Sequence, residues 1–370
     1  MKHSFLPQRG IGLWLLGAAV IVTLGIWGCG VDNTPTAPSG MDDVLGRVNP
    51  QLLHVMAVQD RHTQRLMADP EVIGTATTLD ESGQPAIMLL VTSERARGAA
   101  PKSIEGVPTK VLLTDKIVAM GKPGGGGVSH TAKQTPPIQL GTSGGWRYDL
   151  ANGYCCGGTL GSLVQKGGTQ YVLSNYHVLE ADIVAGGNNR SAQAGDPVIQ
   201  PGLIDVGCNA ANAQNVATLS GQKSLPGSNV DAAYAAVIPG MVRSDGAILE
   251  VGTISASTVA AFVNQAVKKS GRTTGLTRST VTGLNATISV SYENECAGGS
   301  AFTKTYTGQI LVGNRSSKFL AGGDSGSLMV EDVATNPRAV GLLFAGSTTI
   351  AVANPIDQVL SWVGGTMVGQ

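Results

Sequence analysis

From residue 160 to the C-terminus the chain is cut into short Val, Thr, Ala, Ile and Ser runs by glycine and other turn residues, and that punctuation commits it to short β-strands. Leu160 to Val164, Thr169 to Ser174, Ala232 to Val237, Thr280 to Glu293, Gln309 to Val312, Ser327 to Val330, Ala339 to Leu343 and Thr348 to Val352 all read as strands. With 51 glycines in 370 residues and only 14% charged and 4% aromatic residues, the composition suits barrels or sandwiches. Pro355 to Val363, with Ile356, Val359, Leu360 and Val363 on one stripe, reads as a closing helix.

One turn in this β-rich stretch carries chemistry. Ser325 lies in Gly322-Gly323-Asp324-Ser325-Gly326-Ser327. A serine flanked by glycines is presented on a turn whose amides can point at a developing oxyanion. A hydroxyl is a weak nucleophile until a base takes its proton, so a histidine and a group to orient it are required. His177 is the only histidine beyond position 130, and it ends the apolar run Tyr171 to Tyr176. Asp231 heads the small apolar run Ala232 to Val237. A charge buried there without a partner costs on the order of 3 kcal/mol or more, and an imidazole N–H would be such a partner. Asp196 and Asp205, the competing carboxylates, read as turn residues.

The order His177, Asp231, Ser325, with Gly-Asp-Ser-Gly around the last, resembles the chymotrypsin/trypsin-like serine proteases of the PA clan. Ser270-Gly271-Arg272-Thr273-Thr274-Gly275-Leu276-Thr277 is similar to a segment of the bacterial streptogrisin and α-lytic branch. Ser174-Asn175-Tyr176-His177-Val178 is similar to the histidine segment of HtrA-type enzymes. Gly341-Leu342-Leu343-Phe344-Ala345-Gly346-Ser347 and Ala353-Asn354-Pro355-Ile356 resemble bacterial trypsin-like proteins related to the Narrow Leaf 1 family. The resemblance covers residues 146–370 and implies two packed six-stranded β-barrels with the site between them. It implies Ser325 as nucleophile, His177 as base, Asp231 as orienter and the N–H groups of Gly323 and Ser325 as the oxyanion hole. Asp324 reads as a clamp for the nucleophile loop, with Arg272 as its expected ion-pair partner.

Three positions bear on specificity. Phe319, six residues before Ser325, stands where trypsin-type relatives carry an acid, which argues against Arg or Lys before the cleaved bond. Phe344 stands where many relatives carry a small polar residue, and Gly346 follows in the strand that presents backbone to substrate. A small or medium apolar side chain is the expected preference.

The N-terminus sets the compartment. Lys2 and Arg9 precede an apolar run from Ile11 to Gly28, so residues 1–28 read as a signal peptide. Gly28 before Cys29 suggests a lipoprotein signal with Cys29 acylated, against an uncleaved anchor or ordinary secretion; each places the remainder outside the cytoplasm. The other cysteines, Cys155, Cys156, Cys208 and Cys296, form an even set that favours two disulfides in an exported domain. Neighbouring cysteines bridge each other only with strain, so Cys155 and Cys156 are expected to pair separately, one with Cys208 and one with Cys296.

Residues 29–45 read as a linker and 46–120 as a small α+β domain: a helix ending near Pro70, then strands at Val72 to Thr78, Ala86 to Thr92 and Lys110 to Leu113. Residues 121–145, which include Gly124 to Gly127 and the Thr142-Ser143-Gly144-Gly145 turn, read as a Gly/Pro-rich linker before the protease domain. The 46–120 domain is either a pro-region, as the resemblance implies, or a permanent accessory domain. No motif calls for a cofactor or metal, and zero formal net charge argues against nucleic acid as a partner. The partners expected are a protein or peptide substrate and a membrane reached through Cys29 or an anchor. Two functions remain: an exported serine endopeptidase, or a silent or self-cleaving protease fold used as a binding module at the cell envelope.

Overall fold

The computed structural model describes residues 50–119, 128–151, 154–180, 191–292, 302–314 and 318–370. The expected leader (1–28), Cys29, the 29–45 linker and Cys296 lie outside these residues. Among the described residues no helix is long and apolar enough to cross a membrane.

Strand pairing closes two six-stranded rings. In the first, Thr142–Trp146 pairs with Gly158–Leu160, which continues as Ser162–Lys166 beside Thr169–Ser174. The ring then passes through Ala233–Val237, Gln214–Leu219 and Pro197–Gln200 back to Thr142–Trp146. The run expected as one strand from Leu160 to Val164 is broken at Gly161, whose N–H still bonds Leu173 O at 2.9 Å. A Cβ at Gly161 would overlap Gly326 O, so the break is where the second barrel's backbone presses against the first. Leu163, Val172, Leu173, Val198, Val216 and Ala235 fill the interior.

The second ring runs Ala266–Gly271, Leu328–Glu331, Ala339–Gly346, Ile350–Pro355, Phe302–Gly313, Gly275–Tyr292 and back to Ala266–Gly271. Val267, Val281, Ile310, Val312, Met329 and Leu343 pack inside it. The helix Ile356–Val363 follows, buries Ile356, Val359 and Val363, and ends at Gly364 with φ +72°, the left-handed stop that glycine adopts without strain.

Two boundaries differ from the sequence reading. Thr142-Ser143-Gly144-Gly145 belongs to a fully buried barrel strand and not to a linker. Its glycines hide the β-propensity signal, yet they are what lets the neighbouring strand approach: a Cβ at Gly144 would collide with the Leu160 side chain. Ile138 and Leu140, also inside the expected linker, are fully buried as well.

The small α+β region is likewise joined to the second barrel and does not stand apart from it. Its helix Pro50–Leu66 lies on strands Val72–Leu79 and Pro85–Val91, the latter flanked by Val107–Leu113, and buries Val55, Val58, Ile87 and Leu89. Strand Val72–Leu79 pairs with the far half of Gly275–Tyr292, so these strands extend the sheet of the second barrel. Ile117–Ala119 enters between Val290–Ser291, in parallel, and Ala345–Gly346, antiparallel. The cause is the length of Gly275–Tyr292, whose 18 residues overrun the barrel and offer a free edge.

Cys155 and Cys208 form a disulfide with Cα atoms 5.5 Å apart, and Cys156 is also disulfide-bonded. The two bridgeheads are 53 residues apart in sequence. Closing a loop of that length removes about 4 kcal/mol of unfolded-state entropy. Replacing both cysteines by serine is expected to lower unfolding free energy by about 2–4 kcal/mol in guanidinium titrations.

Candidate active site

The strand Thr169–Ser174 leads through Asn175 into the short helix Tyr176–Leu179, and this places His177 at the edge of the first barrel. Asp231 comes two residues before Ala233–Val237, the neighbouring strand, and is fully buried. Its Oδ1 accepts the N–H of Tyr176 at 2.8 Å and of His177 at 3.3 Å. Its Oδ2 accepts Nδ1 of His177 at 2.6 Å and the hydroxyl of Tyr292 at 2.8 Å. Asn175 Nδ2 donates to the Asp231 carbonyl at 2.7 Å, and Asn354 Oδ1 accepts the Asp231 N–H at 2.9 Å. Every polar atom of the aspartate is thus satisfied, which makes its burial affordable. The imidazole is held with the proton on Nδ1, and Nε2, itself buried, has no hydrogen-bond partner among the described residues.

Ser325 sits on the second barrel's side of the seam. Gly158 lies against both sides: a Cβ there would meet Val178 Cγ2 at 2.6 Å and Ser325 O at 2.9 Å. The loop that carries Ser325 is pinned carbonyl by carbonyl. Gly322 O accepts Thr273 Oγ1 at 2.5 Å, and Gly323 O accepts Thr159 Oγ1 at 2.9 Å. Asp324 O accepts Ser327 Oγ at 2.5 Å, and Ser325 O accepts Thr159 N at 2.8 Å. With four successive carbonyls tied, the peptide planes between them, and so their amides, are fixed in direction. Gly323 has φ +92°, and a Cβ there would lie 2.5 Å from Thr273 Oγ1. Ser325 is fully buried, and its Oγ donates to Phe344 O at 3.3 Å.

Asp324 is a clamp, but its cation is not the expected one. Its Oδ1 accepts the N–H of Thr273 and Thr274 at 2.9 and 3.1 Å, and Oδ2 accepts Thr274 Oγ1 at 2.7 Å and Ala321 N at 3.0 Å. The ion pair is with Lys269, 3.2 Å away, both side chains being fully buried. Arg272 instead grips Asp205 through Nε at 2.8 Å and Nη2 at 2.5 Å. Strand alternation is the reason: Lys269 and Gly271 share one face of Ala266–Gly271, and Gly271 lies against Asp324. Arg272, past the strand's end, turns the other way and ties the second barrel to the first. Burial pushes the Lys269 amine down, against the pull of Asp324.

The expected pocket residues are placed differently too. Phe319 and Phe344 are fully buried core side chains and do not line an open pocket. Phe344 lies 4.9 Å from the Tyr306 ring, because inward-facing positions of Ala339–Gly346 are filled against the neighbouring hairpin. Gly346 offers its backbone to Val118, and a Cβ there would be 2.9 Å from both Leu320 Cδ2 and Ile350 O.

One group near the site carries no motif. Glu180, three residues after His177, is fully buried, and among the described residues neither carboxylate oxygen has a hydrogen-bond partner. Burial pushes its carboxyl up to about 8, opposed by Lys223 and reinforced by Asp231. A glutamate directly after Val178-Leu179 was the available signal. Among the described residues no group of three or more His, Cys, Asp or Glu is placed to hold a metal ion.

Residues 229–356, which carry Asp231 and Ser325, match the model of the Nal1 C-terminal domain. No curated protein matches the chain. Among solved structures, the chain is similar to a glutamic acid specific serine protease that utilizes a novel histidine triad in substrate binding, with 21% identity, 62% of this chain and 100% of that one covered, and a TM-score of 0.40. It is also similar to Thermobifida fusca Protease A, with 20% identity, 63% and 99% covered, and a TM-score of 0.41. For Cellulomonas bogoriensis chymotrypsin the figures are 21% identity, 63% and 99% covered, and a TM-score of 0.37.

Proposed function

We propose that this protein is an exported serine endopeptidase of the chymotrypsin-like kind, held closed by its own N-terminal region. The observation that carries the reading is the 2.6 Å bond from His177 Nδ1 to a buried Asp231, which puts the shared proton on Nδ1 and leaves Nε2 without a hydrogen-bond partner among the described residues. An imidazole in that tautomer is a base ready for a hydroxyl. In the reaction the Ser325 hydroxyl swings from Phe344 O to Nε2, gives up its proton and attacks the scissile carbonyl. The amides of Gly323 and Ser325 hold the oxyanion. The imidazolium then returns the proton to the leaving amine, and water repeats the cycle on the acyl-enzyme. Asp231 keeps the tautomer and balances the imidazolium charge. The disulfide Cys155–Cys208 suits the export that the leader suggests, with Cys29 as the proposed point of lipidation.

The closed state is supported by Ile117–Ala119. Its antiparallel register, Val118 opposite Gly346 and Ala119 opposite Ala345, occupies the edge on which an extended peptide substrate would pair. Ser325 is fully buried, its Oγ on the carbonyl of Phe344, the residue before Ala345. The same two observations favour the second reading, a binding module whose nucleophile stays shut. A fluorophosphonate probe separates them, with Ser325→Ala as the blank. Labelling of the wild type is expected to be slow, and Val118→Pro, which strips a ladder donor from the blocking strand, is expected to speed it at least tenfold. A folded protein that labels in neither form is the binding module.

A further inference from the structure

We propose that Tyr292 is a positioning residue of the catalytic acid, its hydroxyl fixing Oδ2 of Asp231 and thereby the base strength of His177. The proposal rests on the proteolytic reading of the site. His177 and Asp231 come from the first barrel, whereas Tyr292 ends the long strand Gly275–Tyr292 of the second. Its hydroxyl reaches across the seam to Oδ2 at 2.8 Å, the same oxygen that holds His177 Nδ1. A carboxylate can only accept, so Tyr292 donates, and its own oxygen is left to accept from Tyr306 Oη at 2.5 Å. The two phenols form a directed relay that ends on the acid.

The rings are held as firmly as the hydroxyls. Tyr292 stacks on Phe302 with ring centroids 4.7 Å apart and an interplanar angle of 4°, and its centroid lies 6.0 Å from that of His177 with the planes at 69°. Tyr306 is braced by Phe344 at 4.9 Å. Both tyrosines are buried, and burial together with the Asp231 charge raises both hydroxyls above their ordinary range. They therefore stay protonated donors through neutral pH.

The consequence for His177 has a definite sign. A donor on Oδ2 draws charge from the carboxylate and weakens its hold on the imidazolium. Without it, the imidazolium is better stabilised and His177 becomes the stronger base, protonated to a higher pH. The lost geometry slows proton transfer, and the shifted titration moves the acid limb of the rate profile. Both effects come from one hydroxyl, which Phe can delete while keeping the ring.

Tyr292→Phe is expected to slow labelling of Ser325 by the fluorophosphonate about 10–100-fold, the range for losing a hydrogen bond to a charged group. The acid limb of the labelling rate should move up by about half a pH unit or more, and Tyr306→Phe should move both the same way by less. A side chain that only packs would leave the acid limb in place. Wild-type rate and an unmoved limb in a folded Tyr292→Phe protein overturn the role and leave the protease reading standing. If neither the wild type nor Val118→Pro labels, the protease reading fails instead. The His177 titration followed by NMR then decides Tyr292 alone: an upward shift in the Phe variant supports the link, and no shift overturns it. Should Tyr292→Phe not fold, Tyr306→Phe carries the same two readouts, and an unmoved limb there counts against the relay.

Discussion

Asp231→Asn is expected to slow acylation of Ser325 by about 10⁴-fold with the fold intact, the size of loss seen when a triad acid is made an amide. The magnitude follows from which side of the carboxylate each donor occupies. Oδ1 faces two backbone N–H groups, from Tyr176 and His177, neither of which can rotate away. An asparagine must put its oxygen there, because turning its amide toward two donors would leave three unsatisfied buried groups. Its Nδ2 then faces His177 Nδ1 and the Tyr292 hydroxyl, where Oδ2 stood. Nδ2 donates, so the ring nitrogen opposite it must accept, and the imidazole proton moves to Nε2. A ring protonated at Nε2 cannot take a proton from Ser325. The check is the labelling rate of Asp231→Asn against wild type and Ser325→Ala, with circular dichroism to confirm folding. A loss below tenfold would remove Asp231 from the machinery, since no other described carboxylate contacts His177.

The residues proposed to carry this chemistry stand out in the chain, each for a physical reason. Histidine is scarce, Ser325 sits between glycines that only a tight turn needs, and Asp231 opens an apolar strand where an unpaired charge would be costly. What escaped the reading is what depends on distant approach. Thr142–Trp146 is a strand by virtue of close packing against Leu160 and not of β-propensity. Lys269 takes the Asp324 partner expected for Arg272 because one lies on a strand face and the other just beyond its end, a difference of alternation that motif spacing does not record. Ile117–Ala119 has three residues, too few for a period, and is ordered by two edges supplied from positions 290 and 345. Tyr292 lies 61 residues from Asp231 in a strand that reads as ordinary β-structure, and only barrel closure brings the two together.

Glu180→Gln is expected to stabilise the protein in a pH-dependent way, by about 3–5 kcal/mol above pH 8 and by little near pH 4. In the folded protein the Glu180 carboxyl is raised to about 8, whereas in the unfolded chain it returns to 4.5. Between those values the folded state binds the extra proton, so stability falls as pH rises from 4.5 and levels off above 8. The cause is burial without a hydrogen-bond partner among the described residues: Asp231 repels the charged form, and Lys223 attracts it too weakly to compensate. Glutamine keeps the shape and cannot ionise, so the falling limb should disappear from the variant's stability curve. Denaturant unfolding of both proteins at pH 5 and pH 9 isolates the effect, because every other titrating group is common to the pair. An equal difference at the two pH values would mean that Glu180 is ionised and solvated after all. A difference that grows with pH would place a second carboxyl, neutral in the working protein, behind the acid that orients His177. The site would then avoid burying two like charges side by side by keeping one of them protonated.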